Sequence, residues 1–236
     1  MIYPHLSVDC VILGIQEGEL SVLLIERRSQ EGELLGYKLP GNMIYENEDL
    51  DEAANRVLTD ATGLKNVILK QFRSFGSLTR TQNRENLEWL QKKYNVKFSR
   101  IVTIAYLALA KNSRKIASEA LGTTRWFPAN QVPQMPFDHN LILQEAIKEI
   151  RTWVEREPAI IFEYLPVKFT EYQLRQTYEV IYNKKMDVRN FHKKMLSLEY
   201  VVLTDEVQLG VAHRAARYYR FDKVKYNRQR SKLNKN

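Results

Sequence analysis

The chain has 236 residues, of which 44% are hydrophobic and 27% are charged, and both values are ordinary for a globular protein. It contains no apolar run of about 18 residues and no apolar segment behind a basic start, so we expect neither a membrane-spanning helix nor a secretory signal. The single cysteine, Cys10, excludes an internal disulfide, which together with the missing signal indicates a buried side chain and a cytoplasmic protein.

The net charge of +8 is not spread evenly along the chain. Residues 1–150 contain 18 basic and 18 acidic side chains, whereas residues 151–236 contain 18 basic and only 10 acidic ones. The whole positive excess therefore lies in the last third, as expected of a nucleic-acid-binding part attached to a neutral part. A solvated basic surface would give the same count, but further signals for DNA binding fall in the same third.

The first two thirds of the sequence predict an alternation of strands and helices. Apolar runs at residues 8–14 and 20–26 flank a turn at residues 16–19, which is typical of a β-hairpin. Between Leu50 and Thr62 apolar residues recur at helical spacing, and Gly63 is placed to end that helix. The later elements are, in chain order, a strand at 67–75, a charged insert at 80–99 with a short helical pattern, strands at 101–110 and 123–127, and an amphipathic helix at 140–156.

The pattern changes after residue 156, where Glu157-Pro158 and Leu165-Pro166 indicate a connector. Two helices followed by a β-hairpin are predicted next, which is the order of a winged helix, and the basic stretch from Lys223 is expected to be frayed. The helices fall at 170–182 and 187–198, and the strands at 200–204 and 216–221. We therefore predict two domains, residues 1–156 and residues 157–236.

The segment from Leu39 to Leu64 resembles the Nudix box, G-x5-E-x7-R-E-U-x-E-E-x-G-U, in which U is aliphatic. Five positions match the pattern and one is a shortened match; the matches are Glu48, Arg56, Leu58, Gly63 and Leu64, and the shortened one is Asp60. Asn42 replaces the leading glycine, while Val57 and Ala61 replace two of the glutamates. The resemblance implies an α+β chain whose N-terminal domain is an α/β/α sandwich with a mixed sheet.

The replaced residues bear directly on chemistry. Nudix enzymes cleave a diphosphate linkage with Mg²⁺ or Mn²⁺ held by helix carboxylates, and hard cations need several oxygen ligands. Positions 57, 60 and 61 share one helix face but supply a single short carboxylate, Asp60. We therefore expect no catalytic residue, no metal site and no cofactor. The alternative is an active pyrophosphatase acting on ADP-ribose or a related nucleotide diphosphate, with a metal held by Glu48, Asp60 and Glu46.

A Nudix domain without its metal site still has a pocket in which an effector could bind. The candidate effector-binding residues mix charged, amide and aromatic groups, which suits a polyol or a sugar phosphate; they are Arg27, Arg28, Tyr37, Lys38, Asn42, Glu48 and Arg56. Surface charge on loops is the alternative interpretation for each of them. Glu48 and Arg56 could instead pair with each other as a structural brace.

An ordered series of short motifs runs through the second half of the chain. It includes Trp126-Phe127, Phe137-Asp138-His139, Leu165-Pro166, Phe169-Thr170, Arg189-Asn190-Phe191, Arg214-Ala215-Ala216 and Tyr219-Arg220-Phe221. The series resembles the Nudix-related transcriptional regulators, which join a Nudix-like sensor to a winged helix-turn-helix. That family includes ADP-ribose-responsive regulators of NAD metabolism and sugar-responsive ones such as the arabinose regulator of Bacteroides. The insert at 80–99 and the depleted box are closer to the sugar-responsive branch.

The helix predicted at 187–198 has the composition of a DNA-reading element. Asp187 is placed to cap it, and Phe191, Met195 and Leu198 share the face that should pack inward. Arginine and asparagine suit base readout and lysine suits phosphates, although an ordinary basic amphipathic helix would look similar. The candidate DNA-binding residues are Arg189, Asn190, His192, Lys193 and Lys194 on the helix, with His213, Arg214 and Arg217 in the wing.

Together these features predict a ligand-responsive transcriptional repressor that binds palindromic double-stranded operator DNA as a homodimer. The resemblance implies a sugar-catabolism operon and an effector that is a pentose such as L-arabinose, or ADP-ribose. An RNA-binding module is a weaker alternative because the basic third lacks an aromatic stacking surface. His139 is expected to cap and pack the start of a helix, since no nucleophile pattern accompanies it.

Overall fold

Residues 1–150 and residues 151–236 form two separate units of the fold. The computed structural model describes residues 5–63, 65, 67–98, 100–110, 123–208, 210 and 215–233. Within these ranges, no helix is both long enough and apolar enough to cross a membrane. The box residue Leu64 and the two wing candidates His213 and Arg214 lie outside the described residues.

A seven-stranded mixed sheet is the centre of the first unit. Its strands are β1 (His5–Gln16), β2 (Glu19–Arg28), β3 (Leu34–Lys38), β4 (Gly41–Met43), β5 (Leu69–Phe75), β6 (Ile101–Leu109) and β7 (Thr124–Pro128). They run in the order β3-β2-β1-β6-β5, with β4 paired to β1 and β7 paired to β2, and β1 is parallel to β6. The predicted hairpin is confirmed, because β1 and β2 pair up to Gln16 and Glu19 around a turn at Glu17 and Gly18. Both turn residues have positive φ, 48° and 83°, as a two-residue hairpin turn requires.

In the described part of the chain, three helices accompany this sheet: α1 (Leu50–Thr62), α2 (Arg84–Tyr94) and α3 (His139–Arg156). The sequence dictates the ends of α1, because Asp49 and Glu52 form a reciprocal capping box and Gly63 ends the helix with φ 70°. The helix buries its apolar face in a cluster that also contains residues of β1, β2 and β6; the cluster includes Val8, Cys10, Leu23, Ala53, Ala54, Val57, Leu58 and Tyr106. Cys10 is buried, as expected.

The second unit is a winged helix. It contains β8 (Lys168–Thr170), α4 (Glu171–Tyr182), α5 (Val188–Leu196), β9 (Val201–Val207), β10 (Arg217–Phe221) and α6 (Lys223–Leu233), and its antiparallel sheet has the order β8-β10-β9. Thr170 caps α4 through a capping box with Gln173, and Asp187 caps α5 by accepting the Asn190 N–H at 2.8 Å. Both predicted helices and both predicted strands of this unit are therefore confirmed.

The structure also corrects the sequence reading in two respects. The expectation of a frayed stretch from Lys223 is wrong for the described residues, which form α6. This helix is held by Tyr226, which is 6% exposed and packs against Tyr200 and Phe221. The short strands β3, β4 and β8 were not predicted, because segments of three to five residues exist only through their pairing partners.

Candidate functional site

The box helix lacks the donor set of a metal site. Val57 is only 4% exposed and belongs to the apolar cluster behind α1, whereas Asp60 is exposed and Ala61 is half-buried. The face expected to hold a cation therefore offers one solvent-facing carboxylate. No group of three or more His, Cys, Asp or Glu side chains that could bind a metal exists among the residues that the structure describes. These residues do not fit the Mg²⁺ or Mn²⁺ of a Nudix enzyme.

Glu48 and Arg56 bind each other. The Arg56 Nε–H donates to Glu48 Oε2 at 2.8 Å, its Nη2 donates to both Glu48 Oε1 and the Met43 carbonyl, and its guanidinium lies 4.0 Å from the centre of the Tyr45 ring. Glu48 also accepts the Tyr45 N–H at 2.8 Å. The hydrogen bond from Arg56 lowers the pKa of Glu48. The pair thus forms the brace between the box loop and α1 that the sequence allowed as an alternative.

A cleft of about 650 Å³, here called the outer cleft, lies between the end of β2 and α2. Of the candidate effector residues, Arg27, Arg28 and Lys38 line it. Arg27 donates to Asn86 Oδ1 at 2.8 Å and lies 4.8 Å from the Trp89 ring, while Arg28 binds Glu26 and the Gly32 carbonyl. Tyr37 does not line the outer cleft, and its ring packs edge-on against Phe127.

The sequence reading missed the residues that α2 contributes to the outer cleft. Trp89, Lys92 and Lys93 all line it, and Trp89 is anchored there by its Nε1–H, which donates to the Arg28 carbonyl at 2.9 Å. Their spacing of i, i+3 and i+4 places them on one helix face. That periodicity was present in the charged insert, but nothing in the local sequence indicated which part of the sheet the face would meet.

A smaller cavity of about 40 Å³, here called the inner cavity, lies beside the outer cleft, and Lys38, Trp89 and Lys93 line both. The Lys38 Nζ donates to the carbonyls of Leu39 and Gly41 at 3.1 Å each, and burial lowers its pKa to about 8. Asn42 also lines the cavity, where its Oδ1 accepts hydrogen bonds from the Tyr94 hydroxyl and the Met43 N–H. These two candidates therefore reach a site that Arg27 and Arg28 do not.

Gly41 allows the chain to pass close to this cavity. A Cβ atom at position 41 would lie 2.0 Å from Asp9 Oδ1 and 2.9 Å from the Val8 carbonyl oxygen, so a larger residue would displace the Asp9 carboxylate. The neighbouring Asn42 lies in β4 opposite Val8 and does not have a positive φ. The replacement of the leading box glycine by Asn42 is therefore compatible with the backbone of the turn.

The wall of the inner cavity contains a buried cluster of ionisable side chains that come from distant parts of the sequence and were not predicted to lie together. Arg80, which is 6% exposed, donates from Nη2 to Asp9 Oδ2 at 2.9 Å and from Nη1 to the Asp138 carboxylate. His139 is 3% exposed, and its Nδ1 accepts the Leu39 N–H at 3.1 Å. Burial lowers the pKa of His139 to about 3, so the ring is neutral and carries its proton on Nε2, 3.6 Å from Asp9.

In the second unit, α5 separates an apolar face from a polar one. Phe191 and Met195 are buried, whereas all five candidate residues of the helix, Arg189, Asn190, His192, Lys193 and Lys194, are exposed. His192 binds Glu171 at 2.7 Å. The side chains of Arg189, Asn190 and Lys193 make no hydrogen bond or ion pair with other described residues. Arg217 is exposed in β10.

The family model of the NUDIX domain matches residues 3–150, which cover more than half of the chain. The chain belongs to the Nudix family. The NrtR DNA-binding winged helix domain matches residues 161–221. The chain therefore joins a Nudix unit to a DNA-binding winged-helix unit, and the predicted fold class is confirmed.

Relatives match this chain along almost its whole length. The ADPR responsive transcriptional repressor NtrR of Acinetobacter baylyi is 26% identical over 224 residues, which cover 92% of this chain and 82% of that protein. The crystal structure of Shewanella oneidensis NrtR complexed with a 27mer DNA has a TM-score of 0.70 at 22% identity and covers 94% of this chain and 95% of its own. A MutT/nudix family protein from Enterococcus faecalis has a TM-score of 0.64 at 22% identity, with coverages of 94% and 88%. These likenesses show that the fold extends over both units.

Proposed function

We propose that this Nudix-family chain is a cytoplasmic transcriptional repressor, and that a small molecule bound in its Nudix unit controls its affinity for operator DNA. The observation that carries the proposal is the polar face of α5, where Arg189, Asn190 and Lys193 are exposed beside the buried anchors Phe191 and Met195. Exposed side chains that can read bases and bind phosphates are what a recognition helix presents to DNA. The name of the Acinetobacter relative, a transcriptional repressor, supports the same function.

This proposal assigns a separate role to each part of the chain. We infer that residues 1–156 sense the effector and residues 157–236 bind DNA. Arg189 and Asn190 suit bidentate contacts to guanine and adenine, while His192, Lys193 and Lys194 suit phosphates. Arg217, with His213 and Arg214, would follow the neighbouring groove. A homodimer on a palindromic site would double these contacts, as is usual for small DNA readers.

The outer cleft is the proposed effector site, and ADP-ribose or a related nucleotide diphosphate is the proposed effector. A volume of about 650 Å³ lies in the usual range for ligand pockets, roughly 300–1,000 Å³. Among the described residues, five cations and four glutamates line the cleft; Lys92 and Lys93 provide positive charge for a diphosphate, Arg28 would do so in exchange for Glu26, and Trp89 provides an aromatic surface. The Acinetobacter relative is named as ADPR responsive, which supports this class of ligand. A pentose such as L-arabinose, with a sugar-catabolism operon as target, is the second candidate, because Asn42 and Tyr94 offer neutral polar groups in the inner cavity.

We further propose that the Nudix unit binds its effector without hydrolysing it. Support comes from the burial of Val57 and from the single carboxylate at Asp60, since the metal that drives this chemistry needs several oxygen ligands. Purified protein with Mn²⁺ should release no product from ADP-ribose, while an unrelated Nudix pyrophosphatase in the same assay provides the positive control. Turnover at ordinary enzyme rates would favour the alternative of an active pyrophosphatase.

Fluorescence anisotropy with labelled DNA from upstream of the gene tests the proposal. We expect binding that weakens steeply with salt, because phosphate contacts release counterions. Arg189→Ala should weaken binding to the cognate fragment, whereas Lys148→Ala, which removes an exposed cation of α3, should not. ADP-ribose should change the affinity and L-arabinose should not; the reverse would select the pentose. Absence of binding to every upstream fragment in low salt would reject the function.

A further inference from the structure

The inner cavity and the helix that continues into the second unit share a residue. His139 lines the cavity and is also the first residue of α3. The same helix continues to Arg156, past residue 150, where the first unit ends. The wall of the cavity therefore includes the first residue of a helix whose last residues belong to the second unit.

Arg80 holds that first turn in place. Its guanidinium is shared between Asp9 of β1 and Asp138, the residue directly before α3. The Asp138 carbonyl accepts the Ile142 N–H at 3.0 Å, so Asp138 is also part of the helix start. The preceding residue, Phe137, has a φ of 56°, a left-handed conformation that a bulky side chain adopts only under constraint. The bond between Arg80 and Asp138 thus maintains a strained start of α3.

The cavity has an unused donor and an excess of positive charge. The Arg80 side chain is 4% exposed and lines the cavity, and its buried Nε has no hydrogen-bond partner among the described residues. Lys38 and Lys93 line the same space, while Asp9 is the only acid in its lining among the residues that the structure describes. Buried donors without a partner are unfavourable, so an oxygen placed beside Arg80 would be stabilised. The small volume admits one compact group rather than a nucleotide.

We propose that the inner cavity accepts a phosphate group of the effector, and that this group displaces Asp138 from Arg80 and so releases the first turn of α3. The inference rests on the proposed function and adds how effector binding would reach the DNA-binding unit. Coupling between two binding sites is reciprocal. If DNA favours the state in which Asp138 is bound to Arg80, it would weaken effector binding by the same factor by which the effector weakens DNA binding. Lys38 and Lys93, which line both the cavity and the outer cleft, would steer the phosphate inward.

Hydrogen–deuterium exchange on the full-length chain measures the release directly. Saturating ADP-ribose should speed amide exchange in residues 139–146, because freed helix starts open more often, while exchange in α1 stays unchanged. Bound ADP-ribose that leaves exchange at 139–146 unchanged, or slows it, would overturn the inference.

The substitution Asp138→Asn tests the competition. It keeps the shape of the side chain but removes the charge that holds Arg80, so ADP-ribose should bind more tightly in calorimetry. The factor by which ADP-ribose changes DNA affinity should shrink, where site-to-site coupling is typically about 5- to 150-fold. Glu145→Gln is the matched control, because Glu145 lies on the same helix and pairs with Arg73 and Lys148. A control that behaves like Asp138→Asn, or an Asp138→Asn variant with wild-type values, would contradict the competition.

The two proposals can fail separately. If the wild-type chain binds upstream DNA but not ADP-ribose, the proposed effector is wrong, and pyrophosphate then serves as the probe of the cavity. Faster exchange at residues 139–146 with pyrophosphate in wild type, but no further increase in Asp138→Asn, would still support the displacement of Asp138. A chain that binds neither anion would overturn the inference whatever its DNA binding.

Discussion

Replacing Val57 with glutamate restores one acid of the Nudix pattern and tests why this chain lacks it. If position 57 faced a metal site, the new carboxyl would be tolerated and would improve cation binding. The structure instead buries Val57 to 4% exposure among Leu23, Ala54 and Tyr106. We therefore expect Val57→Glu to destabilise the Nudix unit.

The size of the effect follows from two contributions. Losing a buried valine side chain lowers the free energy of unfolding by about 1.5 kcal/mol, because its apolar surface is no longer removed from water. Placing an unpaired carboxyl in the same apolar surroundings adds a desolvation penalty of several kcal/mol, unless the group is protonated. Together they give a loss of about 3–5 kcal/mol in the free energy of unfolding at pH 8, which is at the upper end for a single substitution.

The stability of the Val57→Glu variant should depend on pH in a defined direction. Burial raises the pKa of a carboxyl above its unfolded value of about 4.3. Such a group is neutral in both states at low pH, and the folded state loses stability as the pH rises through the raised pKa. The Val57→Glu variant should therefore be closer to wild type at pH 5 than at pH 8. Val57→Gln, which cannot ionise, should show no such difference.

Urea denaturation followed by tryptophan fluorescence provides the assay, since Trp89 and Trp126 lie in this unit. Ala61→Glu is the second control, because Ala61 is half-buried and should tolerate the longer side chain. A Val57→Glu variant as stable as wild type at pH 8, and stabilised further by Mn²⁺, would refute the reasoning. It would mean that position 57 faces a usable metal site.

Three further predictions concern other parts of the chain. Glu48→Gln should lower the melting temperature at pH 7, because Arg56 stabilises the ionised form of Glu48. The difference in melting temperature between the variant and wild type should disappear as the pH falls through the lowered pKa of Glu48. Phe191→Ala should destabilise the winged helix by about 3–5 kcal/mol in denaturation, whereas Arg189→Ala should change stability by less than about 0.5 kcal/mol. The free energy of unfolding of wild type should rise relative to that of Lys38→Met as the pH rises above about 8, because burial disfavours the charged lysine. A difference in the free energy of unfolding that stays constant up to about pH 10 would contradict this.

Local sequence signals predicted most of the fold correctly. The β1–β2 hairpin, α1 and both helices of the winged-helix unit were recognised because periodicity and caps lie within a few neighbouring residues. The helix α6 was missed because its apolar residues do not form a stripe; one anchor, Tyr226, holds it, and the aromatic partners of Tyr226 come from other segments.

The candidate site could be predicted only where it is local in sequence. The brace between Glu48 and Arg56 spans eight residues and follows from the box itself. Arg80 is 71 residues from Asp9 and 58 from Asp138, so only the folded sheet brings them together. Lone charged residues in separate strands and loops carry no spacing that would reveal such a cluster.

The residues of the box fall into two groups, those that depart from the Nudix pattern and those that keep it. Val57 and Ala61 remove metal ligands, while the retained Glu48 and Arg56 hold the loop and α1 together. The proposed sensor function accounts for this combination, because a sensor that cleaved its own effector would lower the concentration it reports. Arg80 adds a second link within the unit, since one cation is shared between Asp9 of the sheet and Asp138 at the start of α3. Under the proposed function, the missing metal ligands and the contact between Arg80 and the start of α3 would serve one purpose, which is to bind a ligand and respond to it without cleaving it.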